Sequence, residues 1–453
     1  MHHPRRVGGL FGKAGSVAVA AAAAALLAAC SGPGSSAPDT SAAAAPESVS
    51  TSIGSAPVSL TLYDGQGLQK LDDALIAGFS KQYPSVTIKP TYDPDKVTTQ
   101  NQPRLLASDT PPDLVRVISV TDGVKNNLLT HLDAYDKAYN WDQLPASQLV
   151  QYRVTDGVAG SGSLYAKPSG FTMTGLYYNK QLASQFGMTA PPASIDELTT
   201  LFGKIKAGGQ TPLMASNAQG GVVLPLQLMF NTAMGVKPVS NWVFTVPDST
   251  INTPESVQAT TVLDGWVKAG YLPDGVNGLD GTTATGQFTS GTGVFMASGN
   301  WDAPNLNTAM PGNVGFMPMP PMTAGGSFAA TSDAATAFGI AAKSTNKDAA
   351  AAFLNYLSSD AARQDAVDAG FMPSGTTTQP APTIPAGSVL NDVQAGFTEV
   401  STASGQVPFV QNATAGISDR AWTPESQLLV AGQSTPEQFL ANVQTEYETE
   451  LKK

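Results

Sequence analysis

Tyr165-Ala-Lys-Pro-Ser-Gly-Phe-Thr-Met-Thr-Gly-Leu-Tyr-Tyr-Asn-Lys180 is where the chain passes from one lobe to another, and the architecture is read outward from it. Pro168 fixes its own φ and drives Lys167 out of the helical region, while Gly170 adds backbone freedom two residues later. Thr172, Thr174, Leu176, Tyr177 and Tyr178 then suit a strand, and Asn179 is placed to open the next helix. The stretch reads as a hinge that runs into a strand.

The residues after Lys180 are equally ordered. Leu182, Phe186, Gly187 and Pro191-Pro192 precede Ser194-Ile-Asp-Glu197, a capping box for a helix with an apolar face of Leu198, Leu201, Phe202 and Ile205. This succession resembles the "glyYNk…aGl…P.t.dEl" signature of the family 1 extracellular solute-binding proteins, the substrate receptors of ABC importers, most of them for sugars. Further elements resemble the same family. Ala107-Ser-Asp-Thr-Pro-Pro-Asp113 is similar to "lasG.pPDv", with Asp109 and Thr110 in place of a small residue or glycine. Gln287-Phe-Thr-Ser-Gly291 and Gly293-Val-Phe-Met-Ala-Ser-Gly-Asn-Trp301 are similar to "F.sGkaAM…G.W", with Thr292 for the common basic residue, and Phe316-Met-Pro-Met-Pro-Pro321 is similar to its "plP" strand.

The resemblance implies a type II periplasmic-binding-protein-like α/β fold, with two lobes joined by crossing strands and the solute held between them. The expected division is 58–169 with 338–385 for the first lobe and 170–337 with 386–453 for the second. Local patterning agrees with an α/β body. Val58-Ser-Leu-Thr-Leu-Tyr63 alternates as a strand, Leu68, Leu71, Leu75 and Phe79 recur at helical spacing, and Val86-Thr-Ile88 supplies a second strand. A helix over Lys96–Ser108 and a buried strand over Pro111–Ile118 come next. Ala337–Ala342 reads as the second crossing. Thr253-Pro-Glu255 and Thr435-Pro-Glu437 start helices, the latter burying Phe439, Leu440, Val443 and Tyr447.

The N-terminus is a different kind of sequence. Arg5, Arg6 and Lys13 precede an apolar run, Val17–Ala29, too short for a stable membrane span and suited to a secretory signal. It ends in Leu27-Ala-Ala-Cys30, a lipobox match, and Cys30 is the single cysteine. The expectation is a signal peptide over 1–29, a lipidated Cys30 anchoring the chain to the outer side of the cell membrane, and a disordered Ser-, Ala- and Pro-rich tether as far as Pro57, spanning about 30 Å as a coil. With one cysteine no internal disulfide forms, so stability rests on the cores. The formal charge of −11 becomes more negative once the signal leaves, which disfavours nucleic acid as a partner.

A neutral polyol is held by aromatic faces over its C–H surface and by fixed polar groups that replace its water. The resemblance puts Trp301 first, because the tryptophan of this element often stacks on sugar in the family; Trp266 reads as core, and Trp242 and Trp422 as either. Residues at strand ends facing the hinge are the polar candidates: Asp64 and Gln66, Ser119 and Asp122, Asn217 and Gln219, Ser332 and Asp333, with Phe171 and Thr172 just past the first crossing. Asp419 and Arg420 match a region that makes contacts in some relatives. Thr172 stands where the better-known maltodextrin receptors of the family carry an acidic residue. No cofactor and no metal are expected, and the predicted partners are a carbohydrate and the permease subunits of an ABC importer, with the chain a monomer.

Two other functions compete with the receptor reading. A glycan-acting enzyme lacks support, since no GxSxG, HExxH or P-loop is present and His131, the one histidine beyond the signal, reads as a surface or capping residue. A lipid-tethered adhesion or sensor protein would use the same fold. Within the receptor reading, a non-sugar solute remains the alternative; Leu62-Tyr-Asp-Gly-Gln-Gly67 resembles the opening of ferric-ion receptors, but Tyr177 and Tyr178 are adjacent in a strand and point to opposite faces.

Overall fold

The computed structural model describes residues 48–144, 146–332, 336–375, 378–414 and 416–452. The Val17–Ala29 run, Cys30, the tether as far as Glu47, and Asp333 lie outside the described residues.

The body is α/β and two-lobed. In the first lobe a five-stranded sheet runs in the order Val86–Asp93, Val58–Gly65, Leu114–Arg116, Ala337–Ile340, Lys167–Pro168. Its first three strands are parallel, with Leu62 opposite Leu114, and the last two are antiparallel additions. In Val58–Gly65, Ser59 and Thr61 face water while Leu60 and Leu62 are buried, and the strand is wholly buried beyond them. Leu71, Leu75 and Phe79 of helix Gln69–Gln82 cover it at the four-residue spacing of one helix face. Phe338, Ile340, Phe353 and Leu354, far along the chain, complete the same core.

The second lobe is built on a four-stranded sheet in the order Val314–Met317, Thr174–Asn179, Gly293–Gly299, Thr211–Met214. Its core contains Leu176, Tyr177, Phe202, Met229, Phe295 and, among the tryptophans, Trp242, Trp266 and Trp422. Ser194 caps helix Ile195–Ala207 by accepting from the Glu197 amide, but Glu197 reaches the Ala193 amide instead of closing a reciprocal box. Reciprocal boxes occur where Thr253 and Ser256, and Thr435 and Gln438, meet.

Hydrogen bonds tie the first crossing segment to the second and to a third segment, Phe371–Ser374. Ser169 donates from its amide and its hydroxyl to the Thr336 carbonyl, at 2.8 and 2.6 Å, and accepts from the Ser374 amide at 3.0 Å. Phe171 donates to the Met372 carbonyl, 3.1 Å away. Gly170 lies so close to this third segment that a Cβ would stand 2.5 Å from the Met372 oxygen, so the approach needs glycine. After it the chain stays with the first lobe, where Arg363 donates to the Pro380 carbonyl and Gln364 accepts from the Thr383 amide.

The end of the expected tether also departs from a free coil. Val49 and Ile53 pack against the first core, and the Ser50 amide donates to Asp348, which accepts from the Tyr135 hydroxyl as well. Two apolar residues four apart in a serine-rich stretch are enough to fasten it.

Candidate ligand cleft at the lobe crossing

Asn300 organises the side of the crossing that belongs to the second lobe. Its side chain donates to the Phe171 carbonyl at 3.0 Å and accepts from the Met173 amide at 3.1 Å, and its own amide donates to the Met173 carbonyl. The residue is buried, so these bonds replace water for three backbone groups of the first crossing segment. They also fix where the next residue goes.

Trp301 stands beside that junction and is 37% exposed, whereas Trp141, Trp242, Trp266 and Trp422 are buried. Its ring folds back over Gly299, where a Cβ would lie 2.1 Å from a ring carbon. Phe409 flanks it, with centroids 6.2 Å apart and planes inclined by 43°. The pair forms an aromatic wall of the kind that covers the C–H face of a polyol. Beneath Trp301, burial raises the pKa of Asp302, opposed by the Ser298 hydroxyl that donates to it at 2.5 Å.

Two hydroxyls at the second crossing have no hydrogen-bond partner among the described residues. They are Ser332 Oγ and Thr336 Oγ1, both on buried residues. The Ser332 carbonyl accepts from Gln151 of the first lobe, at 3.5 Å. A buried hydroxyl left unsatisfied is costly, and a solute or water hydrogen-bonded to it would remove the cost.

The other predicted residues divide by what their side chains do. Gln66 and Gln219 are exposed and uncommitted to the cores. Ser119 caps helix Val120–Lys125 and its hydroxyl donates to Asp122 at 2.8 Å, so those two serve each other. Phe171 and Thr172 sit at the crossing but are buried, with Phe397 stacked on Phe171 at a centroid distance of 3.5 Å. They pack at the hinge.

Three of the predicted residues have their side chains engaged within the protein. Asp64 is fully buried in a strand that continues to Gly65; its Oδ1 accepts from Arg116 at 2.5 Å. Burial raises the Asp64 pKa against the opposing Arg116 charge, and Asp72 is raised well above the usual carboxylate range by burial and then by the charge of Asp64. Asn217 is buried with its amide on Asn277 at 2.8 Å and its oxygen taken by Val222 and Ser426, which leaves it a lobe-building role. Arg420 lies on a π-helical turn, Ser418–Trp422, facing Glu450 and Glu446 of the last helix at 3.4 and 3.8 Å. It is a surface ion pair.

Sequence reasoning missed Asn300, Phe397, Phe409 and Thr336. Asn300 had a signal, being a polar residue between the glycine and the tryptophan at the end of an apolar strand; the others are far from the motifs and converge only through the fold. His131, expected at the surface, is half-buried: its Nε2 lies 3.3 Å from Asp133, and its Nδ1 is buried without a hydrogen-bond partner among the described residues. Among the described residues no group of three or more His, Cys, Asp or Glu is arranged to hold a metal, and no helix is long and apolar enough to cross a membrane.

The family profile described as bacterial extracellular solute-binding protein matches residues 62–364. Among solved structures, a chitin oligosaccharide binding protein superposes with a TM-score of 0.73 at 19% identity, covering 88% of this chain and 100% of that one. A family 1 extracellular solute-binding protein from Bifidobacterium longum subsp. infantis gives 0.67 at 20% identity, covering 87% and 100%. The GacH receptor of Streptomyces glaucescens, solved unliganded and with acarbose, gives 0.69 at 20% identity, covering 87% and 99%. No curated protein sequence matches the chain.

Proposed function

Because the chain belongs to the bacterial extracellular solute-binding protein family, we propose that it is a carbohydrate receptor of an ABC importer, closing its two lobes over a sugar and presenting it to a membrane permease. The observation that carries the sugar reading is the exposed Trp301 beside Phe409 at the crossing, in a body whose other tryptophans are buried. Structural neighbours named for chitin oligosaccharide and for acarbose support the same class of solute. In this reading Trp301 and Phe409 stack on the ring, Ser332 and Thr336 supply hydroxyls, and Gln66 contributes from the first lobe.

Closure results from a solute that touches both lobes at once, since only contacts that differ between the open and closed forms shift their populations. The lobes are 58–169 with 338–385, and 170–337 with 386–453. Lipidation of Cys30 after removal of 1–29 would keep the receptor, as a monomer, at the outer face of the membrane near its permease.

A thermal-shift screen against sugars, polyols, amino acids and ferric citrate tests this. A micromolar solute at millimolar concentration stabilises by about 4 kcal/mol, a readily measured rise in midpoint. The expected result is a shift with one sugar class, no product on incubation, and its loss in Trp301→Ala. A shift confined to amino acids or ferric citrate would replace the sugar with another solute, and consumption of the sugar would replace the receptor with an enzyme.

A further inference from the structure

On the first lobe, away from Trp301, a cavity of about 310 Å³ opens between the end of helix Gln69–Gln82, the Tyr139–Leu144 segment, the residues after helix Lys347–Tyr356, and Thr378 with Gln379. This is the size at which small-molecule pockets begin. Its chemistry is mixed in a particular way. Tyr83, Tyr139 and Trp141 supply aromatic surface, and Gln82, Gln143 and Gln379 supply side-chain amides. Among the described residues no carboxylate and no lysine lines it.

The aromatic wall is braced from within. Tyr139 and Trp141 lie parallel, 5° apart with centroids at 5.7 Å, and the Trp141 indole donates to Asn355 at 3.1 Å. Behind Trp141 the fully buried Lys167 places its ammonium nitrogen 5.4 Å from the ring centroid and donates to the Ser358 hydroxyl. Burial lowers the Lys167 pKa to about 7. An amino group packed over one face of the indole holds the ring in place. The Tyr139 hydroxyl, meanwhile, is buried and has no hydrogen-bond partner among the described residues.

We infer that this cavity is a second ligand site, separate from the cleft, for a single neutral hydroxylated ring such as a hexose or an N-acetylhexosamine. The half-buried Tyr83 and Tyr139 would cover the C–H face of the ring, and the glutamine amides would bond its hydroxyls. A charged ligand is disfavoured, since among the described residues no ionised group lines the cavity to neutralise it. The cavity has room for one ring and not for a chain. Gln379, whose amide donates to the Ser358 carbonyl at 2.7 Å, follows the Phe371–Ser374 segment that bonds Ser169 and Phe171, so an occupant would rest against a segment continuous with the hinge contacts.

The five tryptophans give a direct test. The protein is labelled with ¹⁵N at its indoles, the resonances of Trp141 and Trp301 are assigned with Trp141→Phe and Trp301→Phe, and glucose, galactose and N-acetylglucosamine are titrated into the millimolar range. The expected result is a Trp141 resonance that moves with one of these sugars along its own isotherm, unchanged by Trp301→Ala. Gln143→Ala, at an exposed position, should weaken that isotherm roughly threefold to tenfold. A Trp301 resonance that moves while Trp141 stays fixed would overturn the second site and leave the cleft reading intact. A Trp141 resonance that moves while Trp301 stays fixed would do the reverse. If neither moves with any of the three, the second site fails.

Discussion

Asn300 shows how one side chain sets a binding surface without facing it. The amide spans the Phe171 carbonyl and the Met173 amide, so the first crossing segment and the end of strand Gly293–Gly299 are tied at one point, and Trp301 leaves from that point toward solvent. Asn300→Ala would strand two buried backbone groups, at a cost of about 2–4 kcal/mol in urea unfolding, and would weaken solute binding by releasing Trp301. An Asn300→Ala protein with wild-type stability would show that water replaces the side chain there. Trp301 itself was legible in the sequence, since an apolar strand ending in glycine and a polar residue pushes the next ring outward. The engagement of Asp64 and Asn217 within the protein was not legible, for a shared reason. A polar residue near a strand end is as well suited to closing a buried network as to meeting a solute, and which of these it does depends on partners such as Arg116 and Ser426 that are distant in the chain.

Between elements, the acid pair Asp64 and Asp72 couples strand Val58–Gly65 to helix Gln69–Gln82. Both carboxyls are buried, Arg116 donates to Asp64, and neither Asp72 oxygen has a hydrogen-bond donor among the described residues, so the pair is favoured with a shared proton. A carboxyl whose folded pKa lies above its unfolded value contributes stability that is complete below the unfolded value of about 3.9 and is lost as pH rises through the raised one. Asp72→Asn, which keeps the shape and cannot ionise, should therefore be more stable than the wild type near about pH 8 and gain nothing near about pH 5, in urea titrations at both. An equal change at the two pH values would exclude the shared proton. Helices and strands with a clean period were legible: Leu71, Leu75 and Phe79, or the caps at Asn179, Thr253 and Thr435, announce themselves within a few residues. The short ribbon of Arg153–Thr155, Val158–Ala159 and Ser163–Leu164 was not, because strands of two or three residues carry no period to read.

At the scale of the molecule, the two-lobed plan was legible in the hinge stretch and the order of motifs around it. The contact of Phe371–Ser374 with the first crossing was not, since this stretch looks like an ordinary helix exit until Ser169 and Phe171 are seen to bond it. Composition misled in the same way at the other end, where Ser48–Pro57 reads as tether but Val49 and Ile53 pack on the first core. Ile53→Asp should detach that strap and speed proteolysis ahead of Val58 without lowering the melting temperature of the body; unchanged cleavage would mean that the Ser50 to Asp348 bond suffices alone. The strap's attachment has a mechanical meaning. Among the described residues it is fastened to the first lobe, so in the receptor proposed above a pull on the N-terminus would be borne by that lobe as a stator, and the second lobe would turn as a rotor with no load of its own.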